Sequence, residues 1–163
     1  MTMTEHDFTC RYLMDKLSQR VIDFFRDELM IETINIDFAI NTVKKMELNY
    51  LTSIINVESS VKMFVVLSYD EPLLNEVFSR YTSGLVIEED EKEDAIIDSA
   101  GDIINIIVGN ILAEVNNTDK KITISPPIVI TSAEKIACQR NSLFYRANLV
   151  TEYGIVDIYL LKN

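Results

Sequence analysis

The stretch that decides the fold is Asp94-Ala-Ile-Ile-Asp98-Ser-Ala-Gly-Asp102-Ile-Ile-Asn105-Ile-Ile-Val-Gly109-Asn110-Ile-Leu-Ala-Glu114-Val115. Polar residues or glycine interrupt an otherwise apolar run at 94, 98, 102, 105 and 109. Steps of three and four at roughly 100° per residue keep those positions within a narrow strip of one helix face. Ile97, Ile104, Ile107, Val108, Ile111 and Val115 cover the broad opposite side, which is expected to be core. The carboxylates at 94, 98 and 102 lie toward the helix N-terminus, where the backbone dipole favours them. Gly109 continues the strip at a cost in helix stability, and its missing side chain lets another surface come close. Two readings follow. The stretch is a central helix with a partly exposed polar stripe, or Asp102 and Asn105, one turn apart, form a small constellation presented to a partner. An asparagine can orient a water but cannot take its proton at neutral pH, whereas an aspartate can hold a cation or accept a proton.

Composition narrows the classes. The 163 residues suit one domain spanning 1–163, with enough chain for a full core. A hydrophobic share of 48% with four glycines and three prolines marks a globular chain and not a disordered one. The net charge of −11 disfavours nucleic acid and anionic membrane surfaces as partners. Cys10 and Cys138 are too few for a disulfide scaffold, and a cytosolic location with free thiols fits best. His6 is the single histidine, and no CxxC or HExxH spacing occurs, so no metal site built by this chain is expected. The N-terminus has neither a basic nor an apolar signal region, and no stretch reads as a membrane span. Glycine-rich phosphate loops and serine nucleophile elbows are absent from the sequence. Cys138 has no plausible histidine partner, and Ser99 and Ser125 are isolated hydroxyls. The chain thus lacks a self-contained catalytic set. If it is an enzyme, its substrate supplies part of the machinery.

In chain order, residues 8 to 29 read as a helix with Leu13, Leu17, Val21, Phe24, Phe25 and Leu29 on its apolar side. Residues 31 to 40, 44 to 55 and 61 to 69 alternate as strands, and short joins between them imply antiparallel pairing. Asp70 and Pro72 start a short helix that ends before Gly84. The acidic run from Glu88 to Asp94 reads as a solvated linker and first helical turn, or as a dock for a basic partner. Beyond the central helix, Asn116 to Asp119 reads as a loop. Pro126-Pro127 interrupts a ladder or marks an edge before a strand at Ile128 to Ile130. Residues 142 to 150 and 153 to 161 form a hairpin around Glu152 to Gly154. The class is α+β, with helices packed on an antiparallel sheet. The order of elements can be read as two copies of a helix-plus-three-strand unit, although the residues show no clear repeat.

The helix motif from Asp98 through Asp102, Asn105 and Gly109 to Asn110, followed by Ser125-Pro126-Pro127-Ile128-Val129-Ile130, resembles the chemotaxis phosphatases of the CheX type, within the CheC/CheX/FliY group. The resemblance spans roughly residues 40 to 160. In that family a long helix carries an acidic residue, usually Glu, then Asn three positions on and Gly four further, and a Ser-x-Pro segment follows. Position 102 departs from the pattern with an Asp, one methylene shorter. The resemblance implies a duplicated fold, a cytoplasmic location and hydrolysis of the aspartyl-phosphate of a CheY-like response regulator. It implies Asp102 and Asn105 as catalytic residues, with Asp102 pairing with a regulator lysine and Asn105 holding a water in line with phosphorus. Asp98 and Gly109 fall on the docking strip. Mg²⁺ is supplied by the regulator and not by this chain. Homodimerisation by sheet continuation is also implied. The alternatives are a CheX-like binding or dimerisation module that does not hydrolyse, and a structural relative of flagellar switch proteins.

Overall fold

A computed structural model describes residues 5–40, 45–58, 62–115, 122–131, 135–137 and 143–162. In chain order the elements are α1 (Glu5–Leu29), β1 (Thr33–Ile40), β2 (Lys45–Glu47), β3 (Leu51–Glu58), β4 (Lys62–Tyr69), α2 (Glu71–Tyr81) and α3 (Lys92–Val115), the last preceded by a 3₁₀ turn at Glu89–Glu91. Then come β5 (Thr123–Ile124), β6 (Ile128–Ile130), β7 (Lys135–Ala137), β8 (Leu143–Thr151) and β9 (Ile155–Lys162). The α+β class holds: every pairing is antiparallel.

The main sheet has seven strands in the order β1-β8-β9-β4-β3-β5, with β6 also on β3. That order contains the duplication that the residues conceal. Take α1 with β1, β3 and β4 as one unit, and α3 with β6, β8 and β9 as the other. Exchanging the units maps β1-β8-β9-β4-β3-β6 onto itself, with β4 and β9 paired at the centre. The short strands β2 and β7 occupy equivalent places and pair with each other. α1 lies on β8 and α3 on β3, again as equivalents.

Strand alternation sends one set of side chains toward the helices. Leu51, Ile55, Leu67, Tyr69, Tyr145, Leu149, Val156, Ile158 and Leu160 join Leu17, Val21 and Phe25 of α1 and Ile103, Ile104 and Ile107 of α3 in one core. Val66 and Tyr159 point to the other face and pack with Met46 and Leu48 in a smaller cluster. Polar groups complete that face. The buried Asp157 carboxylate accepts from Arg146 Nη2 at 2.9 Å, Asn148 Nδ2 at 2.8 Å and Asn49 Nδ2 at 3.0 Å. Its charge is therefore met by a cation and two amides, as a buried carboxylate requires.

The same network corrects one sequence expectation. Residues 44 to 55 are not one strand: β2 and β3 are separated at 48–50. Asn49 donates its backbone N–H to Ser68 Oγ at 2.7 Å and its side-chain amide to Ser68 O at 3.1 Å. These bonds turn the chain from the β2–β7 ribbon into the sheet, although the two-residue alternation continues through the turn. A second correction concerns α3. By length and composition, Glu89–Glu114 is apolar enough to cross a membrane. Ile103, Ile104, Ile107 and Ile111 instead pack into the core that α1 and the sheet share. The reading of Asn116 to Asp119 as a loop falls outside the described residues, as does Cys138.

Two junctions fix the helices. At the end of α1, Met30 takes a left-handed φ of 56° while Ile31 N donates to Phe25 O at 2.8 Å. This closes the helix in the usual way, with a methionine where glycine is favoured. Arg80 of α2 then donates to Leu29 O and Met30 O, both at 2.9 Å, so α2 caps α1. At the start of α2, the Asp70 carboxylate accepts from Leu73 N at 3.0 Å and from Ile155 N at 2.9 Å. One side chain thereby ties the helix start to the β8–β9 turn. At Gly154, with φ 156°, a Cβ would run into that carboxylate. Gly154→Ala is therefore expected to destabilise the fold by about 2–3 kcal/mol, from a lost cap plus backbone strain. A urea titration checks this, and an unchanged midpoint would contradict it.

Candidate functional site

α3 begins at Lys92 and runs unbroken through Gly101 to Val115. Its two sides separate as the spacing predicts. Ile103, Ile104, Ile107, Val108 and Ile111 are buried, whereas Asp94, Asp98, Asp102, Asn105 and Asn110 are exposed and Gly109 is half-buried. Ile97 is only half-buried, and Ile106 joins the outward side at 40% exposure. Asp102 and Asn105 thus stand one turn apart on the outer surface of a helix whose other side is core.

The two helix glycines have opposite surroundings. A Cβ on the buried Gly101 would lie 3.2 Å from Pro127 Cγ and 4.0 Å from Val129 Cγ2. That glycine admits the proline segment onto the helix, and the packing partner is plain. A Cβ on Gly109 would meet no atom within 4 Å. Packing within the chain gives no reason for a glycine there.

Ser125 explains how the proline segment is held. Its backbone N–H donates to Asn56 O at 2.9 Å, and its Oγ accepts from Asn56 N at 3.0 Å while donating to Pro126 O at 3.1 Å. The hydroxyl acts as a clasp between β3 and the segment that carries Pro127. β5 and β6 lie on either side of the two prolines, both paired to the outer edge of β3, so the prolines mark an edge. Ser99 is likewise engaged: it is buried, and its Oγ donates to Ala95 O at 2.7 Å. Cys10 is buried in the core against which α1 packs. Among the described residues, no group of three or more His, Cys, Asp or Glu is placed to hold a metal ion.

Sequence reasoning missed Tyr81. It was legible as the last apolar residue of α2, and its ring does pack against the core. Its phenol, however, also lies within the electrostatic influence of Asp102 on α3. The phenol is pushed above the ordinary tyrosine range by burial first, then by the charge of Asp102, then by a hydrogen bond to that carboxylate. No periodicity signals this contact, because α2 and α3 meet only in the tertiary structure.

Known proteins share this fold. Residues 51–147 match the family model described as chemotaxis phosphatase CheX. Among solved structures, a chemotaxis protein CheX from Desulfovibrio desulfuricans aligns with TM-score 0.78 at 10% identity, covering 93% of this chain and 99% of that one. A putative chemotaxis protein from Desulfovibrio vulgaris Hildenborough gives 0.78 at 12%, covering 93% and 97%. The CheX–CheY–BeF3–Mg²⁺ complex from Borrelia burgdorferi gives 0.69 at 16%, covering 92% and 97%. At these identities the likeness is one of fold. A search of curated proteins found no match. The family model spans more than half of the sequence and includes both α3 and the Ser125–Pro127 clasp. On that ground the chain belongs to the chemotaxis phosphatase CheX family.

Proposed function

We propose that this chain is a phosphatase acting on the aspartyl-phosphate of a CheY-like response regulator. The observation that carries the proposal is the pair Asp102 and Asn105, exposed one turn apart on the outer strip of α3 in a chain of this family. The regulator-bound relative from Borrelia burgdorferi supports the class of partner.

The chemistry asks little of this side. The bond from phosphorus to the regulator's aspartyl oxygen breaks as a water oxygen bonds to phosphorus. The products are a free carboxylate and inorganic phosphate, which takes both of the water's protons and exchanges them with solvent. The regulator contributes the metal ion and a lysine beside the acyl phosphate. Asn105 orients the water through its amide, a task of positioning that needs no proton transfer. Asp102 engages the lysine. Asp98 and Gly109 lie along the same strip and make room for the partner's surface. Asp102 is one methylene shorter than the usual Glu, and this favours a second reading in which the chain binds the regulator without hydrolysing its phosphate.

Assembly follows the family pattern. β1 is the outer strand at one end of the main sheet, with Ile34 at 65% and Phe38 at 49% exposure on it. Such an edge supports homodimerisation by sheet continuation.

Four measurements bear on the mechanism, the docking strip and the assembly. Asn105→Ala should lower regulator dephosphorylation about 100-fold, or ~2.7 kcal/mol in the barrier, while fold and regulator affinity persist. Phosphate release from the phosphorylated regulator measures it, and equal turnover by wild type and variant sinks the mechanism. If wild type and Asp102→Glu both bind the regulator without accelerating hydrolysis, the binding-module reading stands. Gly109→Ala should stabilise the isolated chain by about 0.8–1 kcal/mol, since alanine is the better helix former and no neighbour obstructs it. The same change should weaken regulator affinity. A stabilised variant with unaltered affinity would remove Gly109 from the docking strip. Light scattering should return a dimer mass, and a monomer at every concentration would contradict the assembly.

A further inference from the structure

We infer that the connector between α2 and α3 is a docking site for an extended segment of a partner protein, one that alternates apolar with basic side chains. The site shares no residue with Asp98, Asp102, Asn105 and Gly109, and the inference does not rest on the phosphatase reading.

Leu85, Val86 and Ile87 lie between the end of α2 and the 3₁₀ turn at Glu89–Glu91, and they belong to no helix, turn or strand. Both ends of this stretch are fastened. Gly84 takes a left-handed φ of 86°, and Leu85 N then donates to Thr82 O at 3.0 Å. At the other end, Glu91 N donates to Glu88 O at 3.0 Å. Glu88 itself is extended, with φ −69° and ψ 151°. The backbone groups of Val86 and Ile87 pair with no described residue. A leucine followed by two β-branched residues favours extended backbone. A fixed extended stretch with unpaired donors and acceptors is a template for strand addition.

The side chains agree with that use. Leu85 and Ile87 line one groove of about 680 Å³ together with Phe78 and Thr82, whereas Val86 between them does not. That is the alternation of a strand. Leu85 is 69% and Val86 91% exposed, so two adjacent aliphatic side chains stand in water on a held backbone. The surroundings specify the charge of what covers them. From 88 to 94 six carboxylates accompany the single cation Lys92, and all seven residues are exposed. An acidic run alone is a solvated face. Here Glu89 carries it onto the wall of the groove. A segment with lysine or arginine between its apolar residues meets the apolar floor and the acidic rim at once. A second copy of this chain is a poor occupant, because it brings the same carboxylates and a net charge of −11.

The test is fluorescence anisotropy of the full chain with a labelled peptide of about ten residues that alternates valine and lysine. Binding should saturate, and a valine–glutamate peptide of the same length should not bind. Leu85→Ser should weaken binding about tenfold, the size of one buried aliphatic side chain. Methylation of the central valine nitrogen in the peptide removes a backbone donor and should also cost about tenfold. That comparison leaves the protein unchanged, so it holds whatever Leu85→Ser does to the fold. No binding of the valine–lysine peptide overturns the inference. Equal binding of its methylated form overturns it too, since charge attraction alone then accounts for the affinity. Leu85→Ser should leave unchanged both the dimer mass and the affinity for a CheY-like regulator activated with beryllofluoride and Mg²⁺. Loss of either assigns the groove to a second copy or to the regulator, and likewise overturns the inference.

Discussion

The outward strip of α3 depends on how its inward side is held. Aliphatic side chains from Ile103 to Ile111 fill the space between α1 and the sheet, and burial of each contributes about 1.5–3 kcal/mol relative to exposure. Burial alone leaves a helix free to rotate or slide. The contact of Pro127 with Gly101 opposes that movement, because a Cβ at position 101 would lie only 3.2 Å from Pro127 Cγ. Ser125 then fastens the proline segment to β3 through Asn56. Two motifs that lie apart in sequence are thus one mechanical device. The serine and proline position the helix, and the helix presents Asp102 and Asn105.

The division of labour between chain and partner follows from what this site contains. An asparagine amide can orient a water but cannot deprotonate it, and the nearby Ser99 and Ser125 hydroxyls are committed to structural hydrogen bonds. Such a face becomes useful against a partner that already carries a reactive phosphate, a metal ion and a lysine.

Much of the fold was legible because burial writes its period into the chain. α1, α2, α3 and the β8–β9 hairpin each show a period that matches the side chains found in the core. The break at Asn49 was not legible. The alternation of Met46, Leu48 and Tyr50 continues across it, and the turn is set by Ser68 and Asp157, which are distant in sequence. β7 was missed because three residues carry too little pattern, and its pairing with β2 is a product of the duplication. The duplication itself is written in strand order and not in residue identity. At the site, the exposure of Asp102 and Asn105 followed from spacing, and their chemical reading came from resemblance to a family. Tyr81 lies at the end of α2, and only the packing of α2 on α3 exposes its phenol to the charge of Asp102.

The central claim is that the outer strip of α3 is the surface that meets the regulator. The most direct measurement is amide NMR of the isotope-labelled chain during titration with a CheY-like regulator held in its activated form by beryllofluoride and Mg²⁺. The account predicts that perturbations concentrate along Asp98, Asp102, Asn105 and Gly109, extend to Tyr81, and disappear without beryllofluoride. Perturbations confined to the β2–β7 ribbon or the Asp157 face, with α3 unchanged, would contradict it.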